Sequence, residues 1–281
     1  MTAQEVDALQ AWVGREQVCD DVITQAPVSG LSATLDYRQP RARAGEALPP
    51  LWHWLYFLPA PAASRLDTDG HALRGDFLPP VPLPRRMWAG SGIRFVAPLQ
   101  VGDAVRRLSI IEAVDYKCGR SGELVFVTLL HRVLRAGELA IEERQKLVYR
   151  QAVAAAPAPQ PAPFTAQWSR TLVPDPVLLF RYSALTFNSH RIHYDQRYAT
   201  EQEAYPGLVV QGPLSATLLL DLLERELPGA RLGSFEFRAL RPLFAGDTIE
   251  LQGRRQGQAV DLWALDREGA LAMTAAATLA G

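Results

Sequence analysis

One short phrase occurs twice in this chain and limits its fold more than any other feature. Five residues in a ten-residue window recur at a constant offset of 144 positions: Arg94, Pro98, Leu99, Gly102 and Asp103 match Arg238, Pro242, Leu243, Gly246 and Asp247. Pro-Leu-x-x-Gly-Asp is also a common strand-to-turn phrase, so the match by itself leaves coincidence open. Its context favours duplication, because long β-type runs follow both copies.

The runs after each copy contain many β-branched and aromatic residues, which favour strands. Strands are predicted at residues 104–116, 123–135 and 139–149 of the first half and at 248–254, 259–266 and 270–279 of the second. Turn sequences separate them at residues 119–122, 136–137 and 268–269. Each half is therefore predicted to be a meander of long antiparallel strands.

A segment of alternating alanine and proline divides the chain. Residues 154–163 read AAAPAPQPAP, which favours an extended linker because proline supplies no backbone donor. We predict a first half at 1–152, a linker at 153–164 and a second half at 165–281. With 281 residues and 48% hydrophobic content, the chain is long enough for each half to bury a core.

The second half contains one pronounced helix signal. The helix is predicted to start at Gly212-Pro213 and to end at Leu227-Pro228-Gly229, and leucines cover most of its circumference, so it should be buried. Residues 51–58, LWHWLYFL, are a weaker equivalent in the first half. A long antiparallel sheet around a buried helix is the hot-dog arrangement. The predicted class is α+β, a double hot-dog in which two sheets each wrap a central helix.

Composition excludes several classes of function. The 29 basic and 30 acidic residues leave a net charge of -1, which gives no general attraction to nucleic acid or to an anionic membrane. Residues 1–17 do not resemble a signal peptide, and the longest uncharged apolar stretch, 208–220, is too short to span a bilayer, so a cytoplasmic location is expected. Cys19 and Cys118 are far apart, so we expect neither a disulfide framework nor a metal site.

Polar residues are concentrated immediately before the predicted helix. Residues 182–199 read YSALTFNSHRIHYDQRYA and include two of the five histidines, His190 and His193, beside Asn188, Arg191 and Tyr194. Composition alone permits two interpretations of this stretch. It is either a functional site or a solvated loop whose histidines have no chemical role.

The same stretch resembles, without a gap, the hydratase motif S-A-L-T-G-D-x-N-P-I-H-x-D-x-x-Y-A of the MaoC-like and R-specific enoyl-CoA hydratase family. Residues 207–212, GLVVQG, resemble the family's G-L-V-V-H-G at the start of its central helix. The first half is similar to the double-hot-dog branch, which includes mitochondrial-type hydroxyacyl-thioester dehydratases and bacterial mesaconyl-CoA and itaconyl-CoA hydratases. The resemblance implies a hydro-lyase that acts on an acyl-CoA without a cofactor. Identical motif positions are Ser183, Ala184, Leu185, Thr186, Ile192, His193, Asp195, Tyr198 and Ala199.

The departures from that motif bear on mechanism. Asn188 stands where the family has aspartate, and an amide can orient water but cannot accept its proton at neutral pH. His193 is then the matched general base, since a neutral imidazole can take up and return a proton. His190, at the motif asparagine, is a second candidate that either shares the proton or orients His193. Gly212 occupies the position of the family's oxyanion-hole glycine, and Gln211 replaces a histidine.

The resemblance also suggests a substrate, itaconyl-CoA or mesaconyl-CoA, with citramalyl-CoA as the product. Their free carboxylate requires a cationic partner if it is buried. Arg191, at the motif proline, is the first candidate, and Arg85 and Arg86 follow. Each of them is equally explained by surface solvation or by contact with CoA phosphates. Tyr194 and Gln211 complete the predicted substrate-binding set.

Three other functions stay open at this stage. A 3-hydroxyacyl-thioester dehydratase of fatty-acid metabolism would use the same motif. A hot-dog thioesterase would direct water to the carbonyl carbon, and a non-catalytic acyl-thioester binding module would explain the missing motif carboxylate. The expected partner is an acyl-CoA, with neither nucleic acid nor membrane, and a homodimer is possible.

Overall fold

A computed structural model gives the structure and describes residues 1–37, 43–119, 122–151 and 158–281. Within these residues, ten strands form one antiparallel sheet, and four α-helices lie outside it. The strands are β1 Glu16–Val22, β2 Arg85–Phe95, β3 Ala104–Gly119, β4 Gly122–Arg135, β5 Glu138–Arg150, β6 Trp168–Leu172, β7 Leu232–Ala239, β8 Ile249–Gln256, β9 Ala259–Leu265 and β10 Leu271–Leu279. The helices are α1 Ala3–Gln10, α2 Gln25–Thr34, α3 Pro176–Leu185 and α4 Gly212–Glu226.

The strand order shows that the two halves are built alike. It runs β1-β3-β4-β5-β2 through the first half and β7-β10-β9-β8-β6 through the second, so each half repeats the order of the other in reverse. β2 and β7 pair at the seam, where Gly92 lies opposite Glu236. These two residues are 144 positions apart, the offset of the duplicated phrase. A pseudo-twofold axis therefore passes through this pair, and the double hot-dog fold is confirmed.

The six strands predicted from sequence are confirmed to within a few residues at their ends. The turn predicted at 119–122 joins β3 to β4, and its central residues 120 and 121 lie outside the described residues. One expectation is wrong. The two predicted sheets are one continuous sheet, because β2 and β7 hydrogen-bond to each other.

The predicted central helix of the second half is confirmed as α4. Pro213 stands in its first turn, where the missing N–H is tolerated, and the helix ends just before Leu227. Every residue from Leu214 to Leu223 is buried, and the helix packs against β8, β9 and β10. The sheet of the second half therefore wraps a helix that is buried along its middle.

The central helix predicted for the first half at 51–58 is wrong. The corresponding place holds a single 3₁₀ turn, Trp52–Leu55. Leu51 and Phe57 have φ values of 70° and 55°, in the left-handed region, so no α-helix can continue in either direction. Bulky aromatic side chains fill the space instead, and the first half lacks a long helix with a free N-terminus at this place.

A buried polar cluster occupies that place in the first half. Glu143 of β5 accepts hydrogen bonds from Trp54 Nε1 at 3.0 Å and Ser91 Oγ at 2.7 Å, and its carboxylate is paired with His53 Nε2 at 3.1 Å. Burial alone would raise the pKa of Glu143, but these hydrogen bonds and the charge of His53 lower it to about 2. The carboxylate is therefore held ionised in the interior of the first half.

Part of the predicted linker packs against the second half. Residues 152–157 lie outside the described residues, and 158–167 form neither helix nor strand. The Gln160 carbonyl accepts a hydrogen bond from the Leu271 N–H at 2.7 Å, and Phe164 meets Trp263 edge-on at 6.0 Å between ring centroids. The domain boundaries at 152 and 164 stay predictions.

No helix in the described part is long and apolar enough to cross a membrane. Cys19 and Cys118 are both free, and Cys118 is exposed.

Candidate active site

The motif stretch folds back on itself between α3 and α4. α3 is capped at its start by Asp175 and ends at Leu185. Phe187, at the motif glycine, then adopts a φ of 47°, and the Asn188 N–H donates to the Ser183 carbonyl at 2.8 Å. This left-handed turn reverses the chain, and a 3₁₀ turn at Arg191–His193 follows. The reversal brings the motif polar residues next to the start of α4.

His193 is buried and held in one tautomer. Its Nδ1 lies 2.7 Å from the Val209 carbonyl oxygen, to which it donates, so Nε2 carries the free lone pair. Burial lowers the pKa of His193 to about 4, although the hydrogen bond to Val209 opposes the shift. The imidazole is therefore neutral near pH 7. A neutral ring with a free Nε2 is the form that a general base requires.

Gly212 begins α4 and offers an unpaired backbone donor. Its N–H meets no acceptor among the described residues, as expected at the first turn of a helix. The helix dipole adds partial positive charge at the same place. The carbonyl oxygen of Trp88 in β2 lies 3.8 Å from where a Gly212 Cβ would be, so the first half approaches this helix end.

Gln211 fixes the start of α4 from inside the core. Its side chain is buried, and Nε2 donates to the Leu179 carbonyl and to Ser183 Oγ, both at 2.9 Å. These bonds join α4 to α3. This geometry supports a structural role for Gln211, whereas the sequence predicted that it binds substrate.

Asn188 and His190 stand beside His193. Asn188 Oδ1 accepts the His190 backbone N–H at 3.1 Å, so its oxygen stabilises the turn. The His190 ring meets the His193 ring edge-on, with centroids 5.3 Å apart. Neither ring nitrogen of His190 is hydrogen-bonded to any residue that the structure describes. Burial, together with His71 and His193, lowers the pKa of His190, so its ring is also neutral.

The first half contributes two residues that sequence reasoning missed, Asp69 and His71. Asp69 Oδ2 lies 2.9 Å from His71 Nδ1, and the His71 ring overlaps the His190 ring at 4.0 Å between centroids. The contact joins residues more than a hundred positions apart, which neither spacing nor periodicity indicates. The one local signal was the phrase Asp-Thr-Asp-Gly-His at 67–71.

Asp69, His71 and His190 offer ligand atoms that all lie within 4.8 Å of one another. Two imidazoles and a carboxylate are a donor set that transition metals accept. The arrangement fits a metal poorly, because Asp69 and His71 already bond to each other and the His71 and His190 rings pack against each other at 4.0 Å between centroids. The nearby positive charge of Arg86 also opposes a cation.

Two of the three predicted arginines already have carboxylate partners. Arg191 pairs with Asp195 at 2.7 Å and lies over the Tyr198 ring. Arg85 pairs with Glu203 at 2.7 Å. Tyr194 is half exposed, and its hydroxyl donates to the Ser189 carbonyl at 3.1 Å. Arg191, Arg85 and Tyr194 therefore each have a partner within the protein in the absence of a substrate.

Arg86 differs from the other two arginines. Among the described residues it forms no ion pair with a carboxylate, and its charge lowers the pKa of His71 and of His190. It also lies beside the hydroxyl of Tyr149, which is buried and has no acceptor within the described ranges. Arg86 and Tyr149 are therefore two donors available to an anion next to the histidines.

Comparison with known proteins identifies the family. The model of the hydroxyacyl-thioester dehydratase type 2 family matches residues 51–245. The chain belongs to this family. Its members are hydratases and dehydratases, so this dehydratase-family protein is a hydro-lyase.

Individual relatives agree with that membership. A mesaconyl-C(4)-CoA hydratase of Chloroflexus aurantiacus is 47% identical over 96% of this chain and 98% of its own length. A mitochondrial hydroxyacyl-thioester dehydratase type 2 of Schizosaccharomyces pombe is 32% identical, covering 83% of this chain and 88% of its own. A Mycobacterium tuberculosis protein with a double hot-dog fold superposes over 95% of this chain and 96% of its own at a TM-score of 0.57 and 16% identity, which supports the fold alone.

Proposed function

We propose that this family member adds water to a double bond conjugated to a CoA thioester. The favoured substrate is mesaconyl-CoA linked through the carboxyl remote from its methyl group, and the product is citramalyl-CoA. The observation that carries the proposal is the neutral, tautomerically fixed His193, which is hydrogen-bonded to Val209, three residues before the Gly212 N–H at the start of α4. The relative named mesaconyl-C(4)-CoA hydratase, 47% identical, supports the acyl group.

The reaction needs one base and one place for negative charge. His193 Nε2 takes a proton from water as the water oxygen bonds to the β-carbon, and the π electrons move onto the thioester oxygen. The Gly212 N–H and the dipole of α4 stabilise that enolate. The α-carbon then takes up the proton that His193 removed from water, which completes the addition and restores the neutral imidazole. Water addition changes no net oxidation level, so the proposal includes no redox cofactor. It assigns the stabilisation of the enolate to Gly212 and α4 and assigns no step to a metal.

Itaconyl-CoA fits the same site through one further step. Its double bond lies one carbon too far from the thioester for direct hydration. Removal of an α-proton by His193 gives an enolate held by Gly212, and protonation at the terminal methylene gives the conjugated mesaconyl isomer. Hydration then proceeds as before, so one set of residues converts both isomers to one product.

Arg86 and Tyr149 are the proposed partners of the substrate's free carboxylate. A buried carboxylate needs a cationic or multiply hydrogen-bonded partner. Arg86 is the predicted arginine whose charge is not already neutralised by an ion pair, and the Tyr149 hydroxyl beside it has a proton to donate. Arg191, the first candidate from the sequence, is paired with Asp195 instead.

The second candidate function is a 3-hydroxyacyl-thioester dehydratase of fatty-acid metabolism. It is favoured by the family match and by the relative of that name at 32% identity. It would use His193 and Gly212 for the reverse reaction, the removal of water from a 3-hydroxyacyl thioester. A long alkyl chain, however, offers nothing to Arg86. A thioesterase has no specific support in the arrangement of these residues.

A substrate panel tests the proposal. The kcat/KM for mesaconyl-CoA should exceed that for crotonyl-CoA by at least about tenfold, or about 1.4 kcal/mol of differential transition-state binding. Arg86→Gln should reduce this preference while sparing crotonyl-CoA. Arg94→Gln is the matched control, because Arg94 lies on the same strand and is 59% exposed. Faster conversion of crotonyl-CoA or of longer linear enoyl-CoAs by the unmodified enzyme would favour the fatty-acid dehydratase instead.

The setting of the enzyme is also part of the proposal. An acyl-CoA is its partner, and a net charge of -1 fits a cytoplasmic protein that binds neither nucleic acid nor a membrane surface. A homodimer, if formed, would use the outer strands β1 and β6, where the sheet ends.

A further inference from the structure

The motif loop lacks a negative charge where the hydratase motif that it resembles has an aspartate. Asn188 replaces the motif aspartate, and His193 Nδ1 donates to a backbone carbonyl, which is neutral. A proton taken up by His190 or His193 would therefore create a positive charge in a largely buried site. Burial disfavours such a charge unless an anion lies nearby.

Asp69 supplies an anion from the other half of the chain. Burial alone would raise the pKa of Asp69, but the hydrogen bond and the charge of His71 hold it far below its usual range. Its charge in turn favours the protonated form of His190. One oxygen of Asp69 and one ring nitrogen each of His71 and His190 lie within 4.8 Å of one another.

The segment that carries Asp69 is fixed to the motif by close backbone contacts. The Asp69 carbonyl accepts the Arg191 N–H at 2.9 Å, and the Gly70 carbonyl accepts the Ser189 hydroxyl. Gly70 has a φ of 88°, and a Cβ on it would lie 1.9 Å from the Ser189 carbonyl oxygen. Only glycine permits this approach. The Asp69–His71 pair is therefore built into the site.

We propose that Asp69 and His71 are a positioning pair that takes the place of the missing motif carboxylate and acts through His190. The inference rests on the proposed hydration by His193. Water gives one proton to the neutral imidazole of His193, and that proton passes on to His190. Protonated His190 then gives it to the α-carbon, which leaves both rings neutral as they began. Asp69 stabilises the cationic form of His190, and His71 holds the His190 ring by stacking against it.

Variants of the pair test this assignment with mesaconyl-CoA as substrate. Asp69→Asn removes the charge, and His71→Asn keeps a donor for Asp69 while removing the ring that stacks on His190. Each should lower kcat by about tenfold to a hundredfold and leave KM within about threefold. Asp67→Asn is the matched control, since Asp67 is exposed in the same segment, and it should keep full activity. A purely structural pair would leave His71→Asn fully active, because the bond to Asp69 is retained.

A compensating change makes the test sharper. Asn188→Asp brings a carboxylate back into the motif turn, where it can still accept the His190 N–H. In the Asp69→Asn background, Asn188→Asp should raise kcat by at least about threefold. Values of kcat within twofold of the unmodified enzyme for Asp69→Asn and His71→Asn, or no restoration by Asn188→Asp, would overturn the inference. So would loss of activity on dialysis against a chelator with recovery on adding Zn²⁺, which would make the cluster a metal site.

The proposed function and this inference fail in different ways. An unmodified enzyme that does not hydrate mesaconyl-CoA would refute the proposed function. An active enzyme whose rate is indifferent to Asp69 and His71 would refute the pair alone. Thermal unfolding of each variant, followed by circular dichroism, distinguishes lost chemistry from lost structure.

Discussion

At the scale of single residues, two contacts decide what His193 can do. The Val209 carbonyl holds the proton on Nδ1, and burial keeps the ring neutral. A histidine in water has a pKa near 6.5 and would be partly protonated at neutral pH. Protonation of His193 would place a positive charge in the buried interior, which is unfavourable. His193 therefore stays neutral, and available as a base, over a wider range of pH than a histidine in water.

The pH dependence of the reaction follows from this. The active form is neutral His193, and its pKa is lowered to about 4, so kcat/KM should stay nearly constant from pH 8 to pH 5 and fall as pH drops towards 4. The measurement is kcat/KM against pH on protein shown to be folded at each point. His193→Ala should lose at least about a hundredfold at every pH while remaining folded. An acid limb centred near 6.5 would contradict the assignment.

The sequence indicated the candidate site residues His193 and Gly212 but not the residues that contact the motif from the first half. His193 and Gly212 follow from the motif, since their roles depend on local backbone positions. Arg191 is paired because Asp195 lies four residues further on, one helical turn away. Asp69 and His71 were missed because their contact with the motif depends on how a loop of one half docks on the other. Only the three-dimensional arrangement shows that contact.

At the scale of elements, the two predicted central helices had different outcomes, since one is α4 and the other is the 3₁₀ turn at Trp52–Leu55. α4 was predictable because a Gly-Pro start precedes leucines on every side. The first-half helix was not, because aromatic richness suggests burial without specifying helix. Left-handed Leu51 and Phe57 limit that segment to one turn. Strands were easier to predict, since β-branched runs and turn residues mark them locally.

The cluster around Glu143 makes the stability of the first half sensitive to low pH. Its pKa is lowered to about 2 from an unfolded value near 4.5, so its contribution is fully present above about pH 4.5 and is lost as pH falls towards 2. Glu143→Gln should lower the free energy of unfolding at pH 7 by about 3 kcal/mol, because His53 loses its buried partner. It should also weaken the dependence of stability on pH between 5 and 3. Urea unfolding at several pH values measures both effects. Equal pH dependence in the two proteins would show that Glu143 is not responsible.

At the scale of the whole molecule, the pseudo-twofold axis relates two halves that share a strand order but differ in their helices. Both keep the same strand order, and the seam pairs Gly92 with its equivalent Glu236. Among the described residues, the longest helix, α4, and the motif histidines both belong to the second half. The first half instead provides Asp69, His71, Arg86 and Tyr149 to the same place. In the proposed function, the two halves therefore share one composite site, with the base on one half and the anion-binding groups on the other.

A divided chain tests this composite arrangement. Separate expression of residues 1–151 and 152–281 leaves β2 and β7 without each other, and the apolar side chains Ile93, Phe235 and Phe237 lose their cover. We expect the two fragments, when co-expressed, to copurify in a 1:1 complex that hydrates mesaconyl-CoA with one active site per pair. The second fragment alone should lose at least about a hundredfold in kcat/KM, because it lacks Arg86 and the Asp69–His71 pair. Native mass spectrometry gives the stoichiometry, and titration with a tight substrate analogue counts the sites. Two sites per pair, or a second fragment that matches the activity of the complex, would show that the halves do not share one site.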